Sequence, residues 1–437
     1  MPIKKTKTVT SRSGRFLKLA GMTASVAGRY AAQKVHGVFT DDEARKQKRL
    51  GETYEKMADD IVDTLGELKG AVMKIGQIAS QTQDFLPLEF SNALQKLQKE
   101  APPVDFSVIK TQVEQELGGS IESLFLAFDE TPYAAASIGQ VHRATLLDGR
   151  EVIVKVQYPG VDRSCDSDLK QLRLTLKLGG LIKMPKASVD DLFDEIKARL
   201  HEELDYKQEA KNLKRFRDFH QRHSFVFVPE VIDALSTSHI LTLEYLQGDQ
   251  FSNTSTLKYP QEVINLIGHN LFTLLADQLF IFKQIHGDPH PGNFAFRPDG
   301  SIIVYDFGCV KVLKSDIVAA YRDAIVASLE EDYASVDNAM LRLGARVEGK
   351  ANPGASYYSV WRNIFFEPFF SDKAFDFKNS DLHVQVAKEI PLFFEYLSHF
   401  KPPVESLYID RMISGHYWIM KSLGVKASFK SPLNRYL

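Results

Sequence analysis

The chain has 437 residues, 44% of them hydrophobic and 25% charged, and a formal net charge of -2. That length exceeds one compact core and suits two lobes plus an extension. The near-neutral balance, with no basic–aromatic interleaving, excludes nucleic acid as a bulk partner. Cys165 and Cys309 stand far apart, make no disulfide framework and fit a reducing compartment.

From Met1 to Gly37 all formal charges are positive: Lys4, Lys5, Lys7, Arg12, Arg15, Lys18, Arg29 and Lys34. Three readings fit this basic segment, residues 1–40. It is an acid-poor transit peptide, a basic amphipathic helix resting on an anionic membrane surface, or a solvated, partly disordered tail. Peripheral contact with the inner face of a membrane, on a cytoplasmic protein, is the first expectation; a transit peptide over 1–37 would place the protein in a mitochondrion or plastid instead.

Residues 41–130 read as a helical extension. Ile61, Leu65, Leu68, Val72, Ile75 and Ala79 recur at spacings of four and three, one apolar stripe. Lys74 and Gln77 project off that stripe, with Gly76 between them permitting close backbone approach.

Residues 131–247 carry parts of a phosphate-binding lobe. Tyr133-Ala-Ala-Ala-Ser-Ile-Gly-Gln-Val141 has the spacing of a glycine-rich turn, with Ala134 and Ala136 where two glycines would stand and Gly139 and Val141 after them. The alanines stiffen the turn. Strand-like runs flank a hairpin turn at Asp148-Gly149, and Val152-Ile-Val-Lys155 offers a strand lysine for the α/β-phosphates. A helical pattern from about Val189 to Phe219 carries Glu203, Asp205 and Glu209, each a candidate partner for that lysine. The apolar run His239–Gly248, with Glu244 and Leu246, reads as a hinge strand.

Residues 248–437 form the expected second lobe. Val263 to Ile285 is apolar but carries His269, Asn270, Asp277 and Lys283, so it reads as a buried helix rather than a membrane span. It leads into His286-Gly-Asp-Pro-His-Pro-Gly-Asn293, and a short apolar strand then delivers Asp306-Phe-Gly308. An Asp and an Asn five apart, followed by Asp-Phe-Gly, is the arrangement that kinases use. Asp288 would position or deprotonate the acceptor, while Asn293 and Asp306 would hold Mg²⁺ through hard oxygens. His286 and His290 flank the Asp and read as holding the loop backbone. Gly287 precedes Asp288 where a protein kinase has Arg, and no Ala-Pro-Glu follows. Tyr357 to Phe377 and Phe393 to Tyr396 are crowded with aromatics, read as core with a lipid groove as the alternative.

Lys74-Ile-Gly-Gln77, Ala134-Ala-Ala-Ser-Ile-Gly-Gln140, Glu203-Leu-Asp205, the His286–Asn293 loop and Asp306-Phe-Gly308 together resemble the UbiB/AarF (ADCK-type) group of atypical kinase-like proteins, over about Gly51 to Lys311. The resemblance implies an α+β, two-lobed protein-kinase-like fold whose N-terminal helical extension, carrying the K-x-G-Q motif, folds over the active site. It implies ATP or ADP with Mg²⁺ as cofactors and a small-molecule or isoprenoid-lipid acceptor linked to ubiquinone metabolism. On the matching positions it places Lys74, Gln77, Lys155 and Asp288 in catalysis. The nucleotide contacts are Ala134, Ala135, Ala136, Ser137, Gly139, Val141, Lys155, Glu203, Asp205, Glu209, Glu244, Leu246, Asn293 and Asp306, with Glu209 the first expectation for the partner of Lys155. The polar stretch from Lys426 to Leu437 departs from members that carry membrane helices near the C-terminus. Two other functions fit the same loop: a small-metabolite phosphotransferase of the aminoglycoside- or choline-kinase kind, and a non-catalytic nucleotide-binding regulator.

Overall fold

The computed structural model describes residues 12–37, 43–68, 103–135, 138–180, 186–250, 259–401 and 404–437. Lys74, Gly76, Gln77, Ala136 and Ser137 lie outside them. The chain forms two compact units, Met1–Ala210 with Val231–Tyr245, and Lys211–Glu230 with Leu246–Leu437.

In chain order the first elements are α1 (Arg12–Gly37), α2 (Glu43–Leu68), α3 (Phe106–Leu117), α4 (Ile121–Leu124), β1 (Phe125–Phe128), β2 (Ala134–Ala135), β3 (Gly139–Leu146), β4 (Glu151–Gln157), α5 (Val161–Leu178), α6 (Lys186–Leu204), α7 (Tyr206–His220), β5 (Val226–Phe227) and β6 (Ile240–Glu244). The first unit is built on an antiparallel sheet in the order β1-β3-β4-β6, with β2 paired to β3. The β3–β4 hairpin turns at Asp148-Gly149, where Gly149 takes φ +88° and the Asp148 carboxylate accepts from the Arg150 N–H at 3.1 Å. Strand period then sorts the sheet's faces. Val152, Val154 and Val156 are buried on one face, and Lys155 sits on the other, level with Val141 and Leu241.

Residues 12–37 do not form the solvated tail that their charge allows. Leu19, Met22 and Val26 of α1 recur at helical spacing and are buried. Thr23 shares a 2.6 Å hydrogen bond with Thr175 of α5, and Arg15 makes a buried ion pair with Asp168. Arg29 meets Asp60 of α2 at 2.9 Å. Acids distant in sequence thus compensate charges that look unopposed locally. The pattern from Val189 to Phe219 also differs from one continuous helix. It breaks at Asp205, whose carboxylate accepts from the Gln208 N–H at 2.9 Å and caps α7.

The second unit adds β7 (Asp249–Gln250), α8 (Gln261–Ala276), β8 (Gln284–His286), β9 (Phe294–Phe296), β10 (Ile302–Val304), β11 (Val310–Val312), α9 (Ser315–Leu329), α10 (Tyr333–Arg342), α11 (Ala355–Phe365), β12 (Phe375–Asp376), α12 (Leu382–Lys388), α13 (Ile390–Glu395), α14 (Val404–Leu423), β13 (Lys426–Ala427) and α15 (Lys430–Asn434). A π-helical segment, Asp277–Phe282, continues α8 towards β8. Among the described residues one helix, Gln261–Phe282, is long and apolar enough by length and composition to cross a membrane. Within the protein, 67% of that window is buried. β5, β10, β9 and β7 form one small sheet, and β8 pairs with β11 in another. The aromatics divide: Tyr357, Tyr358 and Phe377 are buried, whereas Phe365, Phe393 and Phe394 are exposed.

Gly139 begins β3 directly against β4. A Cβ there would overlap the Val156 carbonyl oxygen and stand 3.2 Å from Gln157 Cα, both backbone atoms fixed by the ladder. Gly139→Ala is therefore expected to destabilise the protein by about 1–3 kcal/mol, read as a lower denaturant midpoint. An unchanged midpoint would show that the strand end yields without cost.

Candidate active site

Each unit carries its own set of the expected residues. In the first, Lys155 Nζ donates to Glu209 Oε1 at 2.6 Å, across 54 residues of sequence. Glu209 is 3% exposed and Lys155 17%, and the ammonium also lies 5.4 Å from the Tyr206 ring centroid. A buried carboxylate of this kind needs its cation, because removing either partner leaves an uncompensated charge. Asp205 serves α7 as its cap, and Glu203 stands one residue before the end of α6. β2 pairs Ala134 with Val141 and Ala135 with Gln140, so the alanines lie along β3. Gln140 is buried, accepts from the Val104 N–H and meets His142 at 3.3 Å. The Glu244 backbone pairs with Val152 at the end of β6.

In the second unit the loop after β8 is clamped from several sides. Gln278 Oε1 accepts from the His286 N–H at 2.9 Å, and His286 Nε2 donates to the Asp306 carbonyl. The Gly287 N–H donates to Cys309 O at 2.7 Å, and a side chain at 287 would meet the Cys309 sulfur. His290 Nδ1 accepts from the Gly292 N–H at 3.1 Å. Both histidines thus hold backbone. Asn293 Nδ2 donates to the Asp288 carbonyl at 2.8 Å and to Asp288 Oδ2 at 3.2 Å, while the Tyr305 N–H donates to Asn293 O at 3.0 Å. Asp288, Asn293 and the start of Asp306-Phe-Gly308 are therefore neighbours. Phe307 is buried against Phe216 and His286, and Asn212 Nδ2 donates to its carbonyl at 2.9 Å. Leu246, in this unit, has its carbonyl occupied by the Tyr305 hydroxyl at 3.0 Å.

The donor set suits a hard cation. Asn293 spends its amide N–H on Asp288, and its Oδ1 is the oxygen that could serve a cation. Asp306 Oδ1 accepts from the Gly308 N–H at 3.0 Å, which turns the carboxylate within the loop. One amide and one carboxylate oxygen leave most positions of an octahedral ion to phosphates and water, as Mg²⁺ requires. Among the described residues no group of three or more His, Cys, Asp or Glu could hold a metal by itself.

Arg411 of α14 carries no sequence motif, yet it lies 2.7 Å from Asp288 Oδ1. Gln278, Asn212 and Tyr206 were equally silent. Asp205, read from the sequence as a candidate partner of Lys155, carried a usable signal: Asp-Tyr-Lys-Gln is a capping pattern.

His416 of α14, buried beside Phe294, has its pKa pushed down to about 3 by burial, and burial also lowers that of His286. Both are neutral when folded and protonate near 6.5 once unfolded, so the unfolded state binds more protons below that pH. Stability falls as pH drops through the window from about 6.5 towards 3. Each histidine contributes a slope of up to about 1.4 kcal/mol per pH unit. His416→Phe is expected to flatten the fall of the urea midpoint between pH 7 and pH 5; a slope equal to wild type would show that His416 is protonated in the folded chain.

The family described as ABC1 atypical kinase-like domain matches residues 96–340, more than half of the chain. The yeast (Saccharomyces cerevisiae) atypical kinase COQ8, mitochondrial, is 29% identical over 97% of this chain and 84% of that protein. The Caenorhabditis elegans atypical kinase coq-8, mitochondrial, is 31% identical over 86% of this chain, which spans 50% of that relative's length. Among solved structures, the complex of Rv3197 with erythromycin from Mycobacterium tuberculosis superposes with a TM-score of 0.62 at 28% identity, covering 90% of this chain and 98% of that one. The α+β kinase-like fold and these matches agree, and the chain belongs to the ABC1 atypical kinase-like family, the group that includes the COQ8 and UbiB-type proteins.

Proposed function

We propose that this chain binds ATP or ADP with Mg²⁺ and hydrolyses or transfers the γ-phosphoryl group, its acceptor being a small molecule or an isoprenoid lipid of the ubiquinone type. The observation that carries the reading is the Asp288–Asn293–Asp306 neighbourhood, in which one loop would supply the base and one oxygen ligand and the segment after β10 the second ligand. The Lys155–Glu209 pair adds the second requirement, an ammonium fixed in place for α/β-phosphates. Asp288 takes the proton of the acceptor hydroxyl or water through its carboxylate. Asn293 and Asp306 hold the cation, which when bound neutralises charge on the phosphates. Lys74 and Gln77, outside the described residues, are proposed to close over the same nucleotide, as the family resemblance implies, and to keep peptide substrates out. The alanine turn and Gly139 cradle the phosphates, with Glu244 and Leu246 towards the base.

The lobe boundaries proposed from sequence are 131–247 and 248–437; the two compact units pass from one to the other at Tyr245 but also assign Lys211–Glu230 to the second. The relatives' names say mitochondrial of those proteins. An organellar address is the alternative for this chain; Arg15, Leu19, Met22 and Val26 of α1 are buried. A peripheral membrane contact would then use exposed positions of the N-terminal region, such as Phe16 and Leu17.

Mg-dependent phosphate release, measured with and without phenolic lipid mimics, tests the proposal. Asp288→Asn is expected to lower release by about 10²–10⁴-fold while nucleotide still binds. Asp306→Asn is expected to abolish the Mg-dependent part of nucleotide affinity. Release stimulated by lipid mimics supports the lipid-linked reading, and transfer to a soluble alcohol favours a small-metabolite phosphotransferase. Tight binding with no release, unchanged by Asp288→Asn, would leave a regulator.

A further inference from the structure

The loop from Gly287 to Asn293 contains no lysine or arginine, so it brings no permanent cation to its own aspartate. α14 brings one. Its residues Tyr408, Arg411 and Gly415, spaced by three and four, lie on one helix face. They meet three consecutive loop positions in order. A Cβ at Gly287 would stand 3.7 Å from Tyr408, and Arg411 Nη2 donates to Asp288 Oδ1 at 2.7 Å. A Cβ at Gly415 would overlap the Pro289 ring and come 2.9 Å from the Pro289 carbonyl oxygen. Glycine at 415 is what lets the helix backbone approach so near. Behind this contact His416 packs edge-on to Phe294 of β9 at 5.8 Å and Lys311 of β11 sits 4.6 Å over the Tyr408 ring, so α14 is held against β9, which follows the loop, and β11, which pairs with β8.

The side chains of Arg411 and Asp288 are 34% and 37% exposed. An ion pair that open adds little to folding stability. Its effect is geometric: Oδ1 of Asp288 is tied to Arg411 and Oδ2 to Asn293, which fixes the carboxylate's rotation about its own bond. The Asn293 contact is the longer, at 3.2 Å, so Oδ2 is the oxygen more easily released to an incoming hydroxyl.

We propose that Arg411 is a positioning residue for the reaction: it holds Asp288 by Oδ1 and presents Oδ2 to the acceptor. The inference rests on the reading of Asp288 as the acceptor's base. The proton passes from the acceptor oxygen to Asp288 Oδ2, the acceptor oxygen bonds to the γ-phosphorus, and ADP leaves with the electrons of the broken P–O bond. Arg411 supplies a fixed guanidinium throughout and exchanges no proton. Lysine can match its charge but not its planar fork.

The test uses the full chain with Arg411→Ala, Arg411→Gln and Arg411→Lys, each alone and with Asp288→Asn, measuring Mg-ATP turnover, nucleotide affinity and thermal midpoint. Arg411→Ala and Arg411→Gln are expected to lower kcat by about 10²-fold, the cost of a misplaced catalytic group, with nucleotide affinity and thermal midpoint unchanged. Arg411→Lys is expected to recover part of the loss. On the Asp288→Asn background Arg411→Ala is expected to cost nothing further, because the group it positions is gone. Full turnover in Arg411→Ala or Arg411→Gln overturns the proposal, as does a loss that adds in full to that of Asp288→Asn, which would make Arg411 only a strut between helix and loop. Wild-type chain that binds nucleotide and never releases phosphate overturns the functional reading itself, and this inference with it.

Discussion

The second unit is organised around one hydrogen bond, from the buried His286 Nε2 to the carbonyl of Asp306. It ties the loop that begins at His286 to Asp306, 20 residues on, at the start of Asp306-Phe-Gly308. Burial lowers the pKa of His286, which favours the neutral ring, and its bond to a carbonyl oxygen places the proton on Nε2. The neighbouring positions follow from it. β8 and β11 pair with His286 opposite Val310, and the Tyr305 N–H reaches Asn293 O. Asp288, Asn293 and Asp306, proposed as base and ligands, are thus brought near one another by hydrogen bonds to backbone oxygens.

The first unit solves a different problem with a different interaction. Glu209 is almost fully buried and would be costly there without Lys155 at 2.6 Å. Such a pair adds little net stability against an apolar alternative, but it fixes where the ammonium points. Lys155 comes from a strand whose register is set by hairpin and sheet, and Glu209 from a helix whose start is set by the Asp205 cap. Two local rules, turn chemistry and helix capping, thus locate one long-range contact. Chemistry that depends on a lysine's position is served by this rigidity more than by the energy of the pair.

What could be read in the chain alone was whatever is contiguous or ordered. Asp288 and Asn293 are five apart in one loop and Asp306 follows after a strand, so their proximity needs only a short antiparallel return. The hairpin at Asp148-Gly149 announces itself by its turn residues. Failures came where a partner lies far away. Arg15 looked like part of a solvated basic run because Asp168, 153 residues distant, is invisible from its neighbours. Arg411 is 123 residues from Asp288 and has no motif around it. Among Glu203, Asp205 and Glu209, order and charge alone did not decide the roles; the Asp-x-x-Gln capping pattern would have removed Asp205 from the contest.

Gly287 and Arg411 are two sides of one constraint. A loop that carries arginine before its aspartate has a cation built in. Here that position is glycine, and a Cβ there would stand 2.7 Å from Cys309 Sγ and 3.3 Å from the Cys309 carbonyl oxygen. The tight pairing of β8 with β11 therefore removes the local cation. An aspartate flanked only by proline, glycine and histidine would be free to rotate towards whatever cation is nearest. α14 answers from outside the residues matched to the family domain, 96–340, and it can do so only where Gly415 lets a helix backbone lie on Pro289. The close packing that excludes one arginine thus makes room for another, and the loop keeps its aspartate aimed by an interaction that its own sequence does not contain.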